Sequence, residues 1–171
     1  MRQPIEARRG RMNARALAGV SIRRATADDL PRLFAAVELF DRPLDRRAAR
    51  AYLADPVNLV LMAVQGAAVI GWSRGTILRQ LDTHRGQFFL YEIAVTARHR
   101  RRGVGAALVR ETLRWAVDRG CEEAFVFTDD PRNRAAHRLY RSTGGRTETS
   151  GDRMYVYALP ARPRSPSGRR G

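Results

Sequence analysis

The order of apolar patterns along this chain predicts an α+β fold, a mixed sheet with helices, and three observations carry that prediction. Apolar residues recur at helical spacing near the start, strand-like apolar runs fill the middle, and beyond Phe88 strand and helix patterns alternate. With 171 residues, 44% of them apolar, the chain is long enough for one well-buried core and too short for two ordinary domains.

Residues 21–24 read as a first strand. Thr26-Ala27-Asp28-Asp29 then caps a helix in which Leu30, Leu33, Phe34, Val37 and Leu39 recur at helical spacing as far as about Phe40. After a loop at Pro43 a second helix covers 45–54 and stops at Asp55-Pro56, because a residue before proline disfavours the helical region. Strands at 57–65 and 69–78 form a hairpin around Gly66-Ala67-Ala68. A polar loop at 79–87 leads to the strand 88–95, and a helix follows from about Gly103 to Arg119, stopped by Gly120. A strand at 122–128 comes next. Pro131 opens a helix running through Leu139-Tyr140 to Gly144-Gly145, and a strand pair closes the chain at about 146–149 and 154–158.

The formal net charge of +15 is carried by arginine alone, as the chain has no lysine. Much of it lies in the ends: residues 1–18 hold five Arg against one Glu, and residues 160–171 hold four Arg and no acid. No aromatic residues interleave with these arginines, so they read as solvated basic tails rather than a nucleic-acid arm. The last segment is rich in Pro, Ser and Gly and is expected to be disordered. The single Cys121 has no internal disulfide partner, which suits a reducing compartment, and the expected location is cytoplasmic. No apolar run approaches the roughly 18 residues that span a bilayer, so no membrane partner is expected. The three histidines, His84, His99 and His137, are dispersed among arginines and no metal site is expected.

The most informative stretch is 88–105, where an apolar run ending Tyr91-Glu92-Ile93-Ala94-Val95 passes through Arg98-His99-Arg100-Arg101-Arg102 into Gly103-Val104-Gly105. Glycines at 103 and 105, followed by Ala106, let backbone N–H groups approach a ligand closely at the start of a helix. The helix dipole favours negative charge there, and Arg100, Arg101 and Arg102 add to it. The pattern reads as a strand feeding an anion cradle.

Arg100-x-x-Gly103-x-Gly105 after the fourth strand, with Asn133 and Leu139-Tyr140 on the helix beyond the next strand, resembles the GNAT superfamily of acetyl-CoA-dependent N-acetyltransferases. The resemblance covers about 20–159, leaving 1–19 as a basic extension and 160–171 as a tail. It implies a GNAT fold, a mostly antiparallel twisted sheet splayed between strands 4 and 5 with helices on both faces. It further implies that the pantetheine arm of acetyl-CoA slots into the splay along Ile93, Ala94 and Val95. The pyrophosphate would rest on N–H groups of Arg101, Arg102, Gly103, Val104, Gly105 and Ala106. Asn133 holds the position that contacts the cofactor in many relatives, though an Asn there also reads as an ordinary helix cap.

Acyl transfer to an amine needs a neutral amine and a proton for the departing thiolate. Tyr140 stands where relatives put the general acid, and a phenol donates a proton without carrying charge; its alternative is a half-buried core tyrosine. Glu92 interrupts an apolar strand, where a carboxylate is costly without a partner or a job. It is the base candidate, and its alternative is an ion pair to an arginine. Thr128 departs from the ribosomal-type protein N-terminal acetyltransferases, which carry a glutamate at about that point. Thr128-Asp129-Asp130-Pro131, with the Tyr91-Glu92-Ile93-Ala94-Val95 strand and Leu39-Phe40-Asp41 at the end of the first helix, looks most like the aminoglycoside 3-N-acetyltransferases, enzymes that inactivate antibiotics. A polycationic sugar calls for carboxylates, and Glu38, Asp41, Asp45, Glu92, Asp129 and Asp130 fall on elements bordering the acceptor cleft of this fold. Asp129 also reads as a cap before Pro131. The expected partner is thus a small-molecule amine, with a protein or metabolite amine as alternative acceptor, and a non-catalytic acyl-CoA or nucleic-acid module as the competing class. A homodimer through the last strands stays open.

Overall fold

The structure, a computed structural model, describes residues 17–82, 85–128 and 133–147. Its elements are β1 (Val20–Arg24), α1 (Leu30–Ala35), α2 (Arg46–Ala54), β2 (Asn58–Gln65), β3 (Ala68–Arg79), β4 (Gly86–Val95), α3 (Val104–Asp118), β5 (Cys121–Phe125) and α4 (Arg134–Ser142). The sheet runs β1-β2-β3-β4-β5; the first three pairings are antiparallel and β4 with β5 is parallel. The mixed fold expected from the sequence is the one observed. The closing strand pair falls almost wholly outside the described residues, and so does the expected start of the last helix at Pro131.

Both faces of the sheet are covered, which is why β2 is apolar without alternation. Leu59, Leu61 and Ala63 point to one face and pack with Ile70, Phe88, Leu90, Val104 and Leu108 beneath α3. Val60, Met62 and Val64 point to the other and pack with Leu33, Leu39 and Trp72 beneath α1 and α2. A buried Ser73 to Thr112 hydroxyl bond of 3.1 Å pins α3 to β3. On the opposite face the Trp72 indole N–H donates to the Leu39 carbonyl at 3.1 Å.

That indole bond accompanies the main departure from the expected elements. The helix predicted as far as Phe40 ends at Ala35, turns at Ala36 (φ −92°, ψ 43°) and resumes as a single 3-10 turn over Val37–Leu39. The turn buries Leu39 under Trp72 and leaves Val37, one of the expected apolar stripe, 72% exposed. Tertiary packing overrides the local period. Upstream, Thr26 and Asp29 form a capping box, and Asp29, 5% exposed, is also gripped by the Arg23 guanidinium, one N–H of which donates at 2.7 Å.

The Arg23 hydrogen bonds, with those of Thr26, hold the Asp29 carboxyl down at about 2. A carboxyl depressed on folding contributes stability that is complete above its unfolded value near 4 and is lost as pH falls through about 2. The contribution is about 2 kcal/mol. Asp29→Asn is expected to remove that amount at pH 7 and to flatten the stability curve between pH 4 and 2, which urea midpoints across that range would show.

A one-residue irregularity decides which way the middle of β4 faces. Arg74 pairs with Glu92 while its neighbour Gly75 pairs with Leu90, so Tyr91 is an extra residue, a β-bulge. In a regular strand Glu92 would share the α3 face with Leu90. The bulge instead puts Glu92 and Ala94 on the Trp72 face, and Ile93 and Val95 on the α3 face. Gly75 beside it has no room for a side chain, since a Cβ would lie 2.3 Å from the Phe89 carbonyl oxygen and 2.4 Å from the Phe88 ring. Gly75→Ala is expected to cost about 3 kcal/mol in chemical unfolding, at the upper end of ordinary overpacking.

Candidate active site

β4 and β5 pair only from Gly86 opposite Cys121 to Phe89 opposite Phe125. Beyond Phe89 the strands part, and among the described residues the outer edge of 90–95 has no strand partner. β5 ends at Phe125, three residues short of the sequence expectation, because the chain there no longer has a strand to pair with. The opening this leaves carries unpaired backbone groups on one wall, ready to take an extended ligand as an added strand.

At its inner end lies the loop from β4 to α3. Thr96 N–H bonds the Ile70 carbonyl, the Thr96 hydroxyl meets His99 Nδ1 at 2.6 Å, and Arg100 Nε–H donates to the Val95 carbonyl at 3.0 Å. His99 thus braces the loop. Arg101 adopts a left-handed φ of 59° and Gly103 one of 86°. The first bond closing α3 runs from Ala107 N–H to the Gly103 carbonyl, which leaves the N–H groups of Val104, Gly105 and Ala106 for a ligand. Successive N–H groups in such a turn make an anion-binding concavity. A Cβ on Gly103 would meet nothing within 4 Å, so the cradle is open on that side. The side chains of Arg101 and Arg102 are exposed beside it.

The third wall is α4. Leu139 approaches Gly105, whose Cβ position lies 3.5 Å from the leucine methyls and 3.8 Å from Val95. Tyr140 packs half-buried against the same core as Ile93 and Val95, and burial pushes its phenol above the ordinary value. The group therefore stays neutral and protonated at physiological pH. Asn133 caps α4, its side chain accepting from Ala136 N–H at 3.1 Å. That is the capping alternative; an N-cap also stands where α4 presents its own free N–H groups.

Glu92 does have a partner: Arg74 Nε–H donates to its Oε2 at 3.1 Å. The ion-pair alternative is what the strand contains. Arg74 was missed in the sequence although a signal existed, a second lone charge inside the neighbouring apolar strand. Of the other acids, Glu38 lies 3.9 Å from Arg98, and Asp45 caps α2 by accepting from Ala48 N–H at 2.7 Å. Asp41 is exposed on the loop after Leu39. Asp129 and Asp130 lie outside the described residues. Cys121 opens β5 at the end away from the splay, and burial pushes its thiol up, away from the reactive thiolate.

A model of the acetyltransferase (GNAT) family matches residues 20–144. The chain belongs to the GNAT family. This GNAT chain is 30% identical over 79 residues to N-acetyltransferase 8B of Rattus norvegicus, a match covering 46% of the chain and 36% of that protein. It is 29% identical over 90 residues to N-alpha-acetyltransferase 30 of Xenopus laevis, covering 51% of the chain and 31% of that protein. The chain thus spans about a third of the length of these curated relatives. Among solved structures, an aminoglycoside acetyltransferase from an uncultured soil metagenomic sample, in complex with sisomicin, matches with a TM-score of 0.70 and 23% identity. That match covers 84% of this chain and 98% of the other. AAC(6')-Iy in complex with the bisubstrate analogue CoA-S-monomethyl-acetylneamine matches with a TM-score of 0.68 and 21% identity over 83% of this chain and 99% of the other. At these identities the likeness is one of GNAT fold. No described helix is long and apolar enough to cross a membrane.

Proposed function

We propose that this protein transfers an acetyl group from acetyl-CoA directly to a primary amine. The observation that carries the reading is the opening between β4 and β5 with an anion cradle at its inner end. An extended, amide-bearing arm ending in a pyrophosphate fits it in both shape and charge. The edge of 90–95 lends backbone hydrogen bonds to the arm, chiefly through Ile93 and the Val95 N–H, the Val95 carbonyl being held by Arg100. The N–H groups of Arg101 to Ala106 take the pyrophosphate, with Arg100 holding the loop shape through the Val95 carbonyl. Bound there, acetyl-CoA supplies a thioester already activated for transfer.

Tyr140 then holds a proton for the leaving thiol, and its raised pKa keeps that proton available at neutral pH. Glu92, on the opposite face through the bulge, accepts the proton the ammonium must lose, directly or through one water. No covalent acetyl-enzyme is needed, and Cys121 stands too far along β5, and too well protonated, to form one. Glu92→Gln is expected to lower turnover about 10²-fold, at the modest end of general-base effects, and to leave acetyl-CoA affinity unchanged in a titration.

For the acceptor we propose an aminoglycoside amine, which the fold-level likeness to aminoglycoside acetyltransferases supports; the 3-N position is the first choice on the sequence resemblance alone, since one of those neighbours is a 6' enzyme. One observation favours a second acceptor class. Glu38, Asp45 and Glu92, three of the acids expected around the cleft, are already engaged by Arg98, a helix N-terminus and Arg74. A surface so neutralised suits an acceptor with one amine better than a polycation. Thiol release with aminoglycosides, polyamines, simple alkylamines and basic peptides separates the two, and the regiochemistry of an acetylated aminoglycoside tests the position. Preference for alkylamines or peptides over every aminoglycoside would overturn the first choice.

A further inference from the structure

Arg74 is a charged residue that neither the coenzyme nor the transfer step uses, yet it sits in β3 between buried Ser73 and buried Gly75. Its guanidinium is boxed in. The Glu92 carboxylate accepts from Nε at 3.1 Å, the Tyr91 ring centroid lies 4.4 Å from Cζ, and that of Trp72 lies 5.7 Å away. Tyr52 of α2 is close enough to feel the charge: burial pushes its phenol up and Arg74 pulls it back. Its hydroxyl is itself committed to the Gly75 carbonyl at 2.9 Å. One carboxylate and two aromatic faces are what recognise an organic cation.

The box stands beside the proposed reaction centre. Glu92 precedes Ile93, whose strand edge lines the opening, and Tyr91, the extra residue of the bulge, is exposed beside it. An amine acceptor arrives as an ammonium and must reach the Glu92 carboxylate. Arg74 already holds that carboxylate. The pair is partly open to water, with 34% of the Arg74 side chain and 25% of the Glu92 side chain exposed. An ion pair so exposed is weak, so a second cation exchanges for it at little cost. The long arginine side chain also has a solvent side to leave by.

We propose that Arg74 occupies the acceptor-ammonium subsite of the free enzyme, and that a primary ammonium displaces it from Glu92 and the Tyr91 face as it binds. Arg74 is then a specificity-determining residue: it sets how well a cation must fit the box before it gains the base. The proposal rests on the reading of Glu92 as the group that meets the acceptor amine.

Two measurements on the full chain test it. In the first, Arg74→Met keeps an apolar stem over Trp72 and removes the competing charge. The acceptor KM is expected to fall about fivefold with the acetyl-CoA KM unchanged, and Arg74→Met/Glu92→Gln is expected to lose that gain. An acceptor KM that stays the same or rises in Arg74→Met would overturn the proposal and make the arginine a structural partner of Glu92. In the second, n-butylammonium is titrated into the unaltered protein while the two tryptophan indole N–H signals are followed by NMR. The Trp72 signal is expected to shift and the Trp115 signal to stay. Equal or absent shifts up to 50 times the acceptor KM, or up to about 100 mM where no amine turns over, overturn the subsite without any reference to activity. Ammonium binding at Trp72 with no turnover of any amine would instead remove the transfer reading and leave the box.

Discussion

Replacing Tyr140 by phenylalanine is expected to lower kcat by about 10²- to 10³-fold while acetyl-CoA affinity stays within about twofold. General acid catalysis by a positioned group contributes on the order of 10²–10⁴. The lower part of that range applies here, because a thiolate is a tolerable leaving group in water. The packing change is small. Tyr140 lies half-buried against the α3-face core, and phenylalanine keeps the ring that makes those contacts. A loss confined to turnover therefore reads out the hydroxyl. Steady-state kinetics beside a binding titration with acetyl-CoA separates the two. An unchanged kcat would leave Tyr140 as a core tyrosine and the acid role vacant.

Gly103→Val is expected to weaken acetyl-CoA binding by about 10²-fold. Two effects add. Gly103 has φ 86°, and a β-branched residue is strained in that region by roughly 1–2 kcal/mol, which the loop relieves by moving. The new side chain would project into the open side of the cradle, where an incoming phosphate must approach the N–H groups. Losing one or two hydrogen bonds to a charged group costs about 1.5–3 kcal/mol, or 10- to 100-fold in Kd. Gly105→Ala is a sharp contrast: its Cβ would meet Leu139 and Val95 at ordinary contact distances of 3.5–3.8 Å, so a smaller effect is expected. Equal affinities for Gly103→Val and the unaltered chain, measured by calorimetry, would remove the cradle.

What the sequence revealed and what it hid divide along physical lines. Features set by local chemistry were legible. Asp45 and Asp55-Pro56 bound α2 as read, and the two glycines marked the start of α3, with Gly103 as its left-handed N-cap. Features set by pairing between distant segments were not. Nothing in Leu90-Tyr91-Glu92 announces a bulge, and strict alternation would have sent Glu92 into the α3 core beside Leu90. The partner that makes Glu92 tolerable, Arg74, is 18 residues away on the adjoining strand. The break at Ala36 depends on Trp72 reaching the Leu39 carbonyl, a contact across 33 residues. The acids expected near the cleft were readable as residues but not as partners: Glu38 meets Arg98 only because the 3-10 turn over Val37–Leu39 and the β4–α3 loop converge.

The resemblance supplied the splay between β4 and β5, which spacing alone does not give. The pairing that stops at Phe89 opposite Phe125 is its structural counterpart. The splay adjoins the proposed cradle, since Gly105 at the head of α3 lies within contact distance of both Val95 and Leu139. Catalytic power on this scaffold would come from position more than from unusual groups, since a neutral phenol and a carboxylate held by strands suffice.

Initial-rate thiol release from acetyl-CoA, with coenzyme and acceptor amine varied together and the products weighed by mass spectrometry, tests direct transfer most plainly. The expected result is a family of intersecting lines, with one acetyl group on the amine for each thiol released and none on the protein. Parallel lines with an acetylated protein, or no thiol release with any amine, would contradict it.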